Sequence, residues 1–132
     1  MIRLTRLPFL LIVFLLAAGL IPQTAFAAQT VAPYASSIKV VNNTVGTADT
    51  VTVTDLNVGD VVRVYATPST TLTIGTGTVP SGTSTAVISI SQLGTGSGTI
   101  YVSVTSNPNS ESPRTSKTYA AEPASPGIDA AQ

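Results

Sequence analysis

Residues 36–39 read Ser-Ser-Ile-Lys, the S-x-x-K spacing in which a lysine can activate a serine nucleophile. The chain has no histidine and no cysteine, so nucleophilic catalysis would need such a Ser–Lys pair. That motif works at the start of a helix, with Ser-Asp-Asn and Lys-Thr-Gly elements beside it. Here it runs into a strand pattern and those elements are missing, so the match is read as chance. Asp55 and Asp60 could in principle act as a glycosidase pair, but that chemistry needs carboxylates about 5–9 Å apart across a deep cleft. A small domain with short loops offers no such cleft. The same stretch, Asp55-Leu56-Asn57-Val58-Gly59-Asp60, begins like an acidic calcium loop. Asp55, Asn57 and Asp60 would then hold a structural calcium ion, and the sequence suggests no other cofactor. The register departs from that pattern, since Val58 precedes the glycine and Ala66 stands where a bidentate glutamate belongs. The expectation is a turn whose side chains satisfy loop amides. Gly94, Gly96 and Gly98 resemble a phosphate cradle, but phosphate loops open a helix and this run leads into a strand pattern. No enzymatic activity is expected.

The tyrosines are the sharper feature. All three phenylalanines lie within residues 1–27, and there is no tryptophan. Beyond residue 27 the only rings are Tyr34, Tyr65, Tyr101 and Tyr119. A row of exposed tyrosines can stack on sugars or pack on a partner protein, having an apolar face and a polar tip. It can equally pair across strands and merely stabilise a sheet.

Residues 1–27 have the three parts of a secretory signal: Arg3 and Arg6, an apolar run, and the small-residue site Ala25-Phe26-Ala27. Cleavage is expected after Ala27. A retained membrane helix needs about 20 apolar residues, and Pro22, Gln23 and Thr24 interrupt the run. The membrane is therefore met only through the uncleaved signal. Removing Arg3 and Arg6 from six basic and six acidic residues leaves four against six, a net charge of −2. Such a body has no electrostatic footprint for nucleic acid. An exported chain without cysteine must be stabilised by one hydrophobic core rather than by disulfides.

From residue 37 to 121 the sequence is rich in Thr, Ser, Val, Ile and Gly, which suits pleated surfaces and disfavours helix. Alternation predicts strands at 38–41, 50–54, 61–66, 71–74, 85–90, 99–105 and 115–120, with Asn-, Pro- and Gly-containing turns between them. Seven short strands imply an all-β, antiparallel sandwich. Residues 28–36 read as an N-terminal linker and 122–132 as a flexible C-terminal tail. With no second copy of the pattern, the chain is one module.

Within β-strands alternate residues share a face. Arg63 must meet water, so Val62 and Val64 point inward and Tyr65 outward. Ile100, Val102 and Val104 take the core and leave Tyr101 outside. Tyr119 is in phase with Lys117 and is also placed outside. Tyr65, Tyr101 and Tyr119, edged by Arg63 and Lys117, then form an exposed stripe and the candidate binding face. Ile38, Val40, Val51, Val53, Leu56, Leu72, Ile74, Ala86, Ile88, Ile90 and Leu93 complete the predicted core. Asn42-Asn43-Thr44 is an N-x-T sequon.

The stretches TVTVTDLNVGDVVRVYA, TAVISISQLGTGSGTIYVSVTS and ESPRTSKTYAAEP resemble the immunoglobulin-like, fibronectin type III-like repeats of bacterial secreted and cell-surface proteins. The resemblance covers about residues 37–122 and implies an immunoglobulin-like sandwich with a spacer, adhesive or wall-associated role. In fibronectin type III modules the sixth-strand tyrosine is in phase with the aliphatic residues after it. Tyr101 is out of phase with Val102 and Val104, which favours the looser immunoglobulin-like assignment.

The expectation is therefore a secreted, extracellular, non-catalytic module with a structural or adhesive role at the cell surface or in the extracellular matrix. The alternatives are a small carbohydrate- or cell-wall-binding module using the same face, and a self-assembling fibre subunit in which residues 31–39 add to a neighbour's sheet edge. Expected partners are cell-wall or extracellular polysaccharide, a surface protein, or another copy of the chain.

Overall fold

The computed structural model describes residues 27–124. Residues 1–26 of the signal segment, with Ala25, and residues 125–132 of the tail lie outside the described residues. Seven strands follow a short 3-10 turn at Ala35–Ser37: β1 Ile38–Val41, β2 Asp49–Val53, β3 Val61–Tyr65, β4 Thr73–Thr78, β5 Ala86–Ile90, β6 Gly98–Thr105 and β7 Thr115–Tyr119. They form two antiparallel sheets, one ordered β1-β2-β5 and the other β4-β3-β6-β7.

The alternation that predicts the strands also builds the core. Val51 and Val53 of β2, Ile88 of β5, Val62 and Val64 of β3, and Ile100, Val102 and Val104 of β6 are all buried between the sheets. Val79 joins them, because its N–H and C=O pair with Asp60 and Gly59 and carry the β3–β4 ladder one step past Thr78. Leu72 does not: it is 78 % exposed in the loop before β4.

β4 is displaced from its expected place at 71–74 and includes Gly75 and Gly77. Glycine inside a strand marks a close backbone approach as readily as a turn. A Cβ at Gly75 would lie 2.6 Å from Ile90 Cγ2, and one at Gly77 2.8 Å from Ile88 Cγ1. The two sheets therefore close tightly along β4 and β5, where Ser91 N–H donates to the Ile74 carbonyl.

Polar side chains hold the two ends. At one end, Asp49 is fully buried and accepts from the backbone N–H of Asn43 and of Leu93, each at 2.7 Å. Asn42 is buried beside it and donates through Nδ2 to the carbonyls of Gly94, Gly96 and Ala120. Its amide nitrogen is thus committed to the fold, and the sequon offers no free asparagine on the folded protein. At the opposite end, residues 28–30, expected as linker, are tied to the body. Gln29 forms a parallel bridge with Ser110, Thr30 N–H donates to Ser110 and Ser110 N–H to Ala28.

Candidate functional site

The outer face of the four-stranded sheet carries the densest side-chain chemistry. Register places Tyr65 directly opposite Tyr101, and Arg63 opposite Ser103. Residues directly opposite in an antiparallel pair share a face, so these four stand together on the side away from the core. This agrees with the expected orientation of Tyr65 and Tyr101.

The expected stripe is nevertheless corrected at two of its three rings. Tyr119 lies opposite Gly98, and Lys117 opposite Ile100, so both belong to the inner side of the sheet. Tyr119 is half-buried and packs against the core. Lys117 satisfies its charge without facing outward, because β7 is an edge strand: its Nζ reaches the rim and donates to the Ala35 carbonyl at 2.8 Å. Thr115, on the same side, donates to the Pro33 carbonyl at 2.5 Å. The second correction is Tyr65, which points outward but is only 3 % exposed. The connection between β6 and β7, residues 106–114, folds back across the sheet and covers it.

That covering segment is pinned to β6 by Ser112. Its N–H donates to the Val104 carbonyl, and its hydroxyl accepts from the Val104 N–H at 2.9 Å. The segment then lays two charged side chains over the tyrosine. Arg114 places its guanidinium carbon 3.4 Å from the Tyr65 ring centroid, a cation–π contact. The same group donates to the carbonyls of Thr67 and Thr70, which fixes the β3–β4 loop beside it. Glu111 Oε1 accepts from the Tyr65 hydroxyl at 2.6 Å and from the hydroxyl of fully buried Ser103. Hydrogen bonds from Ser103 and then Tyr65 hold the Glu111 carboxyl below its usual value of 4.5, with Arg63 and Arg114 adding a smaller pull. Burial, and then the bond to Glu111, push the Tyr65 phenol above 10.0. Arg63 itself donates to Thr105 Oγ1 at 2.7 Å.

Beside this network an open groove of about 580 Å3 is lined by Pro68, Ser69, Tyr101, Glu111, Pro113 and Ser116, among others. Alternation in the sequence places Tyr65, Tyr101, Arg63 and Ser103 on this face but gives no sign of Glu111 and Arg114. The available signal was scarcity. In a chain with 9 % charged residues, an acid and a base three positions apart in one proline-containing turn stand out.

The other expected sites are dispersed. Asp60 is buried and spends both carboxylate oxygens on the fold, accepting from Asn57 N–H and from the Ser106 hydroxyl. Asp55 accepts from the Ser37 hydroxyl at 2.8 Å. Asp60 therefore closes the turn through Asn57 and ties it to Ser106, while Asp55 ties it to Ser37, as expected of side chains that satisfy a loop. Among the described residues no three His, Cys, Asp or Glu side chains group to hold a metal ion. In the Ser36–Lys39 motif, Ser37 is engaged by Asp55 while Ser36 and Lys39 are exposed. The glycine run ends in β6 and contributes carbonyls to Asn42.

Comparison with protein-family models, with curated proteins and with solved structures finds no match.

Proposed function

We propose that the chain is an exported, non-catalytic immunoglobulin-like module with a structural or adhesive role at a bacterial cell surface or in the extracellular matrix. Its contact is made through the outer face of the four-stranded sheet. The carrying observation is the asymmetry of the sandwich. One face is overlaid by residues 106–114, which shape a groove over a locked Tyr65–Glu111–Ser103 network, and among the described residues the opposite face has no such cover. The three- and four-stranded antiparallel sheets support the immunoglobulin-like reading. β4 pairs with β3 rather than with β5, so the strand that constant-type immunoglobulin domains attach to the first sheet lies here on the second. The absence of histidine and cysteine supports a non-catalytic role.

The test is expression of the full chain from its own leader in a bacterial host, with N-terminal sequencing and fractionation of medium, wall and membrane. The expected product begins at Ala28, and a fraction of it is retained at the surface and released by Ser116→Arg, which blocks the groove. Recovery of the uncut chain from the membrane would overturn the export reading. Retention unaffected by the groove variant would overturn the assignment of the contact face.

A further inference from the structure

We infer that the groove over Tyr101 is a saccharide subsite that takes one ring of an uncharged polysaccharide, with a sugar hydroxyl donating to Glu111 and the sugar's C–H face lying on the Tyr101 ring. This rests on the reading of that face as the contact face and adds the class of ligand.

The acceptor is already built. Glu111 Oε1 is taken by Tyr65 and Ser103, while Oε2 accepts no hydrogen bond from any described residue. The carboxyl is held ionised by its two donors, and an ionised acceptor makes the stronger hydrogen bonds. Its orientation is fixed before a ligand arrives, which lowers the entropic cost of binding. The hydroxyls of Ser69 and Ser116, at the groove's rim, also have no partner among the described residues, and each can both donate and accept.

Charge selects the ligand. The charged groups lining the groove are Glu111 and Arg114, which cancel. Arg114 is stacked on Tyr65 and donates to two backbone carbonyls, so it is not presented to an incoming anion. A neutral ligand rich in hydroxyls fits this lining and a sulfated or phosphorylated one does not. The rings narrow the choice further. Tyr65 is covered and Tyr119 is turned toward the core, which leaves Tyr101, half-buried, as the groove's single platform. One ring matches one sugar. A proline-rich peptide lies across a groove lined by several aromatic side chains. The volume of about 580 Å3 falls within the range of small-ligand sites.

The test is titration of the 15N-labelled exported protein with cellohexaose, chitohexaose and mannohexaose, followed by NMR. At least one hexaose is expected to shift the amides of Ser69, Tyr101, Glu111 and Ser116 together. Tyr101→Ala is expected to weaken that binding by about tenfold or more, equivalent to about 1.4 kcal/mol. Ser116→Arg, an exposed position on an edge strand, is expected to abolish it without disturbing the core. Tyr34→Ala, an exposed ring outside the groove, is expected to leave it unchanged. The inference is overturned if none of the three sugars shifts these amides at about 10 mM. It is also overturned if binding survives both groove variants, or if only dextran sulfate or a proline decamer binds there. Any of these outcomes would leave surface retention, measured separately, to decide the module reading. Sugar binding by a protein found wholly in the medium would fail the surface reading and keep this one.

Discussion

The two outer faces of the sandwich obey the same alternation and end up chemically unlike. On the three-stranded sheet, Lys39, Thr52 and Val87 stand in one row, and Val41, Thr50 and Ser89 in the next. Among the described residues no side-chain hydrogen bond reaches from this face to another segment, and Val87 is 68 % exposed. On the four-stranded sheet the equivalent rows hold Arg63, Ser103, Tyr65 and Tyr101, and a segment crosses them. Pairing and pleat are alike in both sheets. The difference comes from the β6–β7 connection, which is long enough to return over its own sheet and carries the charges that lock it there. An outward position in a strand is therefore not an exposed one when a loop of sufficient length leaves from the neighbouring strand.

The comparison is most directly broken by Tyr65→Ala. It removes a buried ring and leaves Glu111 and Arg114 without their common partner, so a loss of about 3–5 kcal/mol is expected from urea unfolding. A loss no larger than that of a bare-face variant would mean that the cover contributes nothing. Ser112→Ala comes next. It strips the buried Val104 N–H of its acceptor and unpins the crossing segment, for an expected cost of about 1–3 kcal/mol and faster amide exchange across residues 106–114.

Glu111→Gln is expected to cost about 1–2 kcal/mol at pH 7, since a charged acceptor becomes a neutral one. It also has a pH signature. The folded Glu111 carboxyl sits below 4.5, so the stability it contributes is present above that value and is lost as pH falls through the lower, folded value. The phenol of Tyr65 sits above 10.0, so its contribution is present below that value and is lost as pH rises through the higher, folded one. Unfolding measured against pH should flatten on the acid side in Glu111→Gln and on the alkaline side in Tyr65→Phe. An unchanged acid limb in Glu111→Gln would place the titrating group elsewhere. The smallest effect belongs to the bare face, where Val87→Thr should move stability by no more than about 0.5 kcal/mol.

What was legible in the sequence was whatever depends on neighbours two residues away. β1 falls at 38–41 as expected, and the inward set Val62, Val64, Ile100, Val102 and Val104 is buried as expected. Period-two alternation is local and survives any topology. The orientation of Tyr65 was legible for the same reason, while its burial was not, because the cover comes from Glu111 and Arg114, more than forty residues along the chain. Alternation alone puts Tyr119 and Lys117 on the outer side, by a rule that holds for central strands, whereas the register of β7 turns both inward. A charged side chain on the inner side of an edge strand needs only to reach the rim, and Lys117 does so. β4 was displaced because Gly75 and Gly77 look like turn residues until the Ile88 and Ile90 side chains they accommodate are known.

The parallel bridge between Gln29 and Ser110 has a mechanical meaning. It anchors the described N-terminal segment where β6 finishes, whereas Glu122, bonded to Thr95, leaves beside the point where β6 begins. A pull between these two ends runs along the strands, so their backbone bonds would be sheared together instead of unzipped one at a time. That is the loading direction a tether in line with its neighbours would have to bear.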